Sequence, residues 1–290
     1  RAQLAKIEQT PVGQAVSLYI DIDGKVKHRV SEKKLVTDLP VKNNSYKEGV
    51  IWIYEFPKHD APFTLYVAGN DPYKTAQSAQ SDSLGATYIY KRIHTIAGED
   101  FQDTIVAQYV GRPNDMDVWL ENTRLLLKFY RAYCLCENND EVFIRYMIGL
   151  NEAPIYLAPT PQFLRDLTPT SKVRKDYGIH ATEKLINLLH TDINQYLREV
   201  INTEKDEEGF PIRQVFGVSK VNDPMLLREL INFNSDGNFD RIRAFGLALS
   251  FAKSLTSQGP VQDNKRDKFA SYKNIKKSTS IFTKNIRLWR

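Results

Sequence analysis

Cysteine is scarce in this sequence, since only Cys134 and Cys136 occur among its 290 residues. Two side chains one residue apart lie on the same face of a strand and cannot join distant parts of a chain through a disulfide bond. The sequence therefore lacks a disulfide framework, and we expect the protein to work in a reducing compartment. A chain of this length can be stabilised by a hydrophobic core alone.

Long apolar runs are also missing. No stretch without Lys, Arg, Asp or Glu is longer than residues 153–164, which include three prolines. A membrane-spanning helix needs ~18 or more apolar residues, so we expect no membrane partner. With 42% hydrophobic and 26% charged residues, the composition is that of an ordinary folded domain.

Several catalytic motifs are absent as well. The five histidines show no H-E-x-x-H spacing, and the Cys-x-Cys pair has no second pair to complete a zinc site. No G-x-S-x-G motif is present for a serine nucleophile. A restriction-type nuclease needs Glu-x-Lys after its central strand, whereas Glu137 is followed by Asn138 and Asn139. These absences argue against zinc hydrolysis, covalent catalysis and a restriction-type core.

Positive charge is concentrated at the end of the chain. Residues 264–290 contain nine Lys or Arg and a single Asp, although the whole sequence has a net charge of only +5. We therefore predict a basic C-terminal tail over residues 261–290. Such a tail either neutralises phosphates, with Lys276 and Lys277 as candidate DNA contacts, or remains a solvated end.

A strand–strand–strand–helix–strand order is predicted from residue 63 onward. An apolar run over residues 63–71 ends where Pro72 follows Asp71, and a last short apolar run ends at Glu137. The intervening elements have β-branched, aromatic or helical patterns. These elements are strands over 86–93 and 104–110, a helix over 115–131 and a strand over 132–136.

The remaining segments suggest how the chain is organised. A hairpin is predicted around Asp23-Gly24, because this dipeptide favours a tight turn. Helices are predicted over 140–149, 180–201 and 224–232, together with one that opens at Asp240. We expect an N-terminal β element or linker over 1–60, a main domain over 61–260, and the tail over 261–290.

Three acids stand at the ends of these predicted elements: Asp71, Glu137 and Asp240. Phosphodiester hydrolysis by Mg²⁺ or Mn²⁺ needs carboxylates from separate parts of the chain that converge on the metal. Asp71 and Glu137 meet this need if the first and fourth strands are neighbours. Each acid also has a simpler interpretation: Asp71 as a loop starter before proline, Glu137 as a polar loop residue and Asp240 as a complement to the helix dipole.

From about residue 49 to residue 255, the chain resembles the nuclease domain of the large terminase subunit of tailed double-stranded DNA bacteriophages. The matching segments are Trp52-Ile-Tyr-Glu-Phe-Pro, Ala68-Gly-Asn-Asp71-Pro72-Tyr73, Cys136-Glu137-Asn138-Asn139 and Asp240-Arg-Ile-Arg-Ala-Phe-Gly-Leu-Ala-Leu. The resemblance implies an α/β, RNase H-like fold with a central mixed β-sheet flanked by helices on both faces. It also implies that Asp71 is the metal-bridging ligand, Glu137 the second and Asp240 the third, with Asn138 at most a neighbour.

The resemblance further implies a metal-dependent endonuclease, using Mg²⁺ or Mn²⁺ in a two-metal site, that cuts concatemeric viral DNA when packaging starts and ends. Its partners would be double-stranded DNA, a portal protein, a small terminase subunit and an ATPase motor, in the host cytoplasm. No G-x-x-x-x-G-K-[ST] occurs in the sequence, so we expect this chain to cut and not to pump. Lys74 and Arg112 are further candidate phosphate contacts, and little base specificity is expected.

Alternatives remain open at this point. Asp236 lies four residues before Asp240 and is the second choice for the third ligand. A non-catalytic DNA-binding scaffold would use the tail together with an aromatic and basic strand surface, formed by Tyr88, Tyr90, Lys91 and Arg92. Another RNase H-like enzyme, a junction resolvase or a transposase, would share the acids but prefer branched or transposon-end DNA.

Overall fold

The computed structural model of the protein describes residues 1–73, 83–96, 99–167, 176–233 and 239–256. Among these residues, seven strands form one central sheet, and four other strands form two separate hairpins. The central strands are β1 (Gln14–Ile20), β2 (Val26–Val30), β3 (Val50–Ile53), β4 (Tyr66–Asp71), β5 (Gly85–Lys91), β8 (Thr104–Gly111) and β9 (Tyr133–Cys136). The hairpins are β6 (His94–Ile96) with β7 (Glu99–Phe101), and β10 (Val200–Lys205) with β11 (Pro211–Phe216).

The sheet has the order β2-β1-β3-β8-β5-β4-β9. All neighbours are antiparallel except β4 and β9, which run parallel. The predicted first and fourth strands are therefore adjacent, as the proposed convergence of acids requires. The antiparallel meander β4-β5-β8, followed by a parallel fourth strand beside β4, agrees with the strand–strand–strand–helix–strand order predicted from the sequence.

Helices cover both faces of the sheet, which confirms the predicted fold class. They are α1 (Ala2–Gln9), α2 (Met116–Tyr130), α3 (Val142–Gly149), α4 (Ala153–Tyr156), α5 (Gln162–Arg165), α6 (Glu183–Arg198), α7 (Pro224–Ile231) and α8 (Asp240–Thr256). On one face, Trp119 of α2 packs on Tyr109 of β8. On the other, Phe245 of α8 packs on Tyr88 of β5. None of the helices described is both long and apolar enough to cross a bilayer.

Local sequence explains the bounds of α2. The side chain of Asp115 accepts a hydrogen bond from the Asp117 amide and caps the first turn. Arg131 adopts a left-handed conformation with φ of 51° and ends the helix. Trp119 is fully buried, and removing such a side chain costs ~3–5 kcal/mol, so the inner face of α2 is firmly attached to the sheet.

The first sixty residues contribute three strands to the central sheet. The hairpin predicted at Asp23-Gly24 is confirmed, because β1 and β2 pair around a turn in which Gly24 has φ of 75°. The side chain of Asp21 accepts hydrogen bonds from the amides of Asp23 and Lys25 in that turn. β3 then pairs with β8 and joins this hairpin to the main domain.

One predicted helix is shorter than its apolar stripe suggests. The stripe predicts a helix as far as Ile201, whereas α6 ends at Arg198 and Ile201 lies in β10. The turn of the β10–β11 hairpin lies in the acidic segment that follows, residues 204–209. There the side chain of Asp206 accepts hydrogen bonds from the amides of Glu208 and Phe210, and Gly209 has φ of 89°. This turn makes strand pairing available, and pairing replaces the last helical turn.

Candidate metal-binding active site

The site begins at the ends of two neighbouring parallel strands. Asp71 is the last residue of β4, and Glu137 directly follows β9. Gly69 and Leu135 are register partners across this pair, and side chains two residues apart in a strand share a face. Asp71 and Glu137 consequently lie on the same face of the sheet, the face that α8 covers.

The intervening residues point to the opposite face and tie the strands together there. Asn70 donates a hydrogen bond to Thr87 of β5 at 2.8 Å. Cys136 Sγ donates to Asn70 Oδ1 at 3.0 Å. Both cysteines are buried in the strand as free thiols, as expected. This buried network fixes the register that brings the two carboxylates together.

A glycine lets α8 approach the strand that carries Asp71. A Cβ atom on Gly69 would lie 2.0 Å from the carbonyl oxygen of Ala244 and 2.4 Å from the amide nitrogen of Ala248. Only a residue without a side chain allows the helix backbone this close. The first turn of α8, which contains Asp240 and Arg243, therefore lies directly beside the strand ends.

Arg243 brings a positive charge to the site. Its Nη1 lies 3.5 Å from Glu137 Oε2, and its Nε lies 3.9 Å from Asp71 Oδ2. Burial lowers the pKa of Arg243, but the charges of Asp71, Glu137 and Asp240 raise it above the ordinary value. Sequence reasoning missed this residue. The signal was its position three residues after Asp240, which places both side chains on one helix face.

The two strand-end carboxylates are strongly coupled. Burial raises the pKa of Asp71 well above its ordinary value, and the charge of Glu137 raises it further, while Arg243 partly offsets both effects. Among the residues described, Asp71 Oδ2 is a buried oxygen with no hydrogen-bond partner. Two acids in one desolvated position carry more negative charge than they can keep without a cation or a proton.

Asp240 is close to this pair but is engaged elsewhere. Its Oδ2 accepts a hydrogen bond from the Leu84 amide at 2.7 Å, just before β5. Burial raises the pKa of Asp240 to about 7, although this hydrogen bond lowers it. Within the residues that the structure describes, no group of three or more His, Cys, Asp or Glu side chains is arranged to hold a metal ion. The structure thus brings together Asp71 and Glu137, with Asp240 beside them.

A second arginine holds α8 in place. Arg241 Nη1 donates to Glu229 Oε1 at 2.7 Å, and its Nη2 donates to the Val36 carbonyl at 2.8 Å. Both side chains are almost completely buried. Asp240, the third predicted metal ligand, lies in the same helix turn as Arg241. The Arg241–Glu229 ion pair therefore also holds Asp240 in position.

The donor set fits one hard divalent cation. Mg²⁺ is bound in many enzymes by one or two carboxylates, with waters and substrate phosphates as the other ligands. Asp71 and Glu137 supply two such carboxylates, and the buried Asp71 Oδ2 has no hydrogen bond to a described residue that a metal ion would have to break. A second ion would need Asp240 as well.

Of the predicted DNA contacts, the structure describes Arg112. Arg112 is buried, because its guanidinium lies over the Tyr73 ring at 4.6 Å and donates to the Ser83 carbonyl. It is therefore not the exposed charge that the prediction assumed. Lys74, Lys276, Lys277 and the alternative ligand Asp236 lie outside the described residues.

Comparison with known proteins gives structural similarities only. No protein-family model matches the sequence, and no curated protein matches it either. The fold is similar to that of the large terminase nuclease from thermophilic phage G20c with bound zinc, at 16% identity and a TM-score of 0.40, over 69% of this chain and 86% of that one. A second structure of that nuclease covers 71% and 91%, at 15% identity and a TM-score of 0.40.

Proposed function

We propose that this chain is a divalent-metal-dependent endonuclease, with Asp71 and Glu137 as its metal ligands. One observation carries the proposal: two buried carboxylates end adjacent parallel strands, share a face and meet at a cationic side chain. Such a pair attracts a divalent cation, because two buried negative charges are costly without compensation. Asp240 is the third ligand of the proposal if it exchanges the Leu84 amide for a second ion.

Each residue has a role in the proposed reaction. Asp71 and Glu137 would hold Mg²⁺ or Mn²⁺, which when bound activates water and neutralises the departing oxygen of a phosphodiester. Gly69 keeps the α8 backbone against β4, so the ligands remain at one end of the sheet. Arg243, whose side chain is 37% exposed, lies at the site's opening to solvent.

The biological task in this proposal follows from the sequence resemblance. We infer that the chain cuts concatemeric double-stranded viral DNA at the start and end of genome packaging, in the host cytoplasm. Its partners would be an ATPase motor, a portal protein and a small terminase subunit. Phosphate contacts carry no base information, so cleavage should have little sequence preference.

The surface required by the scaffold alternative is not exposed. Tyr88 and Tyr90 are buried, and Tyr90 packs against Phe245 of α8. Lys91 is also buried and donates a hydrogen bond to Glu55. Stacking of bases on these tyrosines would require α8 to leave the sheet, so this strand gives the scaffold alternative no support. The tail, which is the other element of that alternative, lies outside the described residues.

Cleavage of supercoiled plasmid in Mn²⁺ or Mg²⁺ tests the proposed function. We expect Asp71→Asn and Glu137→Gln each to slow nicking at least about 100-fold, because metal catalysis supplies several kcal/mol and ~1.4 kcal/mol is a factor of ten. Glu141→Gln is the matched control, since Glu141 forms an ion pair with the largely exposed Arg145 and is not one of the proposed ligands, and it should nick like the wild type. Circular dichroism would verify that each variant is folded.

Other outcomes separate the alternatives. DNA retention in a mobility-shift assay, without nicking in any metal, would favour the scaffold and contradict the proposal. Nicking that continues without metal, or at full rate in Asp71→Asn, would also contradict it. A strong preference for a four-way junction over linear duplex would instead indicate a resolvase.

A further inference from the structure

Arg243 occupies the space between two carboxylates that are proposed to bind metal. Asp71 and Glu137 have side chains only 6% and 8% exposed, while that of Arg243 is 37% exposed. Its guanidinium thus reaches a buried acidic pair from a side chain that remains open to solvent. A cation in this position meets the electrostatic need that a metal ion would otherwise meet.

We propose that Arg243 is a built-in counter-cation that a divalent metal must displace, so that this residue sets the metal concentration at which the site fills. The inference rests on the proposed function, since it takes Asp71 and Glu137 as metal ligands. It adds a residue that controls loading of the site without being a ligand itself.

The distances show that this contact is easily broken. Strong charge-assisted hydrogen bonds between nitrogen and oxygen are ~2.7–2.9 Å long. Arg243 approaches its two acids at 3.5 and 3.9 Å, whereas Arg241 on the same helix lies 2.7 Å from Glu229. Arg243 therefore offsets part of the negative charge of the pair, without the short hydrogen bonds that would hold it in place.

Solvent exposure gives the side chain a way out. An exposed guanidinium loses little when it leaves an ion pair, because water solvates the separated charge well. Arg243 can turn into solvent once another cation takes its place, whereas the buried carboxylates cannot follow it. A dication that replaces it restores charge balance at the pair and leaves the guanidinium at the mouth of the site, where a DNA phosphate would arrive.

Mn²⁺ binding measured by isothermal titration calorimetry on the full chain tests this inference. Arg243→Gln should bind Mn²⁺ with a Kd roughly three- to tenfold lower than the wild type, which corresponds to loss of a partly exposed ion pair. Arg243→Lys keeps the charge and should stay near the wild-type Kd. Arg145→Gln is the control, since Arg145 pairs with Glu141 on the exposed side of α3, and its Kd should not change.

The outcomes distinguish failure of this inference from failure of the proposed function. If Asp71→Asn abolishes Mn²⁺ binding but Arg243→Gln leaves the Kd unchanged or raises it, the metal site stands and the counter-cation role is wrong. If neither the wild type nor Arg243→Gln binds Mn²⁺, both proposals are wrong. Should Arg243→Gln fail to fold, Arg243→Met keeps the unbranched stem without charge and is expected to give the same lower Kd.

Discussion

Two arginines, two residues apart on α8, both face buried acids and behave differently. Arg241 is 2% exposed and donates to Glu229 at 2.7 Å and to the Val36 carbonyl at 2.8 Å. Arg243 is 37% exposed and reaches Asp71 and Glu137 only at 3.5 Å or more. The contact between arginine and carboxylate is thus short and buried at Arg241, and long and partly exposed at Arg243.

The difference shows which ion pair serves the fold and which serves the site. A buried pair with short hydrogen bonds is rigid, and losing one partner leaves an uncompensated charge in the interior. A long, half-exposed contact can be exchanged for another cation at small cost. We therefore assign Arg241 to the positioning of α8 and Arg243 to the chemistry beside it.

Breaking the buried Arg241–Glu229 ion pair should have the largest effect on stability. Arg241→Met leaves Glu229 buried without its cation, and we expect the free energy of unfolding to fall by ~3–5 kcal/mol. Urea denaturation would measure the change. Arg228→Met is the control, because Arg228 forms an exposed pair with Glu8 and should stay within ~1 kcal/mol of the wild type. Equal effects of the two substitutions would contradict the assignment.

Moving α8 away from β4 should have the next largest effect. Gly69→Ala places a Cβ atom against the backbone of Ala244 and Ala248, and such overpacking costs ~1–3 kcal/mol. Because the helix turn with Arg243 must shift as well, Mn²⁺ affinity and nicking should both decrease. Gly24→Ala tests a glycine with open space around it, and it should lose stability through its turn without losing Mn²⁺ affinity. Unchanged metal binding in Gly69→Ala would show that α8 does not position the site.

Asp240, which lies one residue before Arg241, gives a pH-dependent effect. Its folded pKa of about 7 is above its ordinary value, so between about pH 4 and 7 the folded chain keeps a proton that the unfolded chain has lost. Stability from this group is complete below that range and is lost as the pH rises through it. Asp240→Asn stays neutral and can still accept from the Leu84 amide. We expect it to be more stable than the wild type at pH 8 by ~1 kcal/mol or more.

Urea denaturation at pH 5 and pH 8 would check this prediction. The wild type should lose more stability between the two values than Asp240→Asn does, although Asp71 contributes a change of the same sign. An identical pH dependence of the two proteins would show that Asp240 is ionised over the whole range.

The smallest effect is expected for the loose arginine without metal. Arg243→Gln should lower the free energy of unfolding by less than Arg241→Met does, because the contacts of Arg243 are longer and its side chain is partly solvated. The same urea denaturation as for Arg241→Met provides the direct comparison. A loss as large as that of Arg241→Met would show that Arg243 stabilises the fold as Arg241 does. The role of Arg243 as a displaceable counter-cation would then be wrong.

The order of strands and helices around the site was predictable from the sequence, but the contacts between them were not. The strand that ends at Asp71, the fourth strand before Glu137 and the helix from Asp240 are all confirmed. Apolar patterns and a following proline predict such elements locally. The partner of Asp240 was not predictable, since the Leu84 amide lies 156 residues away in sequence. The burial of Arg112 was missed because exposure of a lone charge depends on the packing around it.

The strands, the helices and the acids at their ends follow from local patterns in the amino-acid sequence, because propensity, capping and alternation act over a few residues. The position of β4 beside β9, the shared face of Asp71 and Glu137 and the approach of Arg243 to them follow from the three-dimensional packing. These relations depend on close packing, such as the approach of α8 to Gly69, between segments that no local pattern connects.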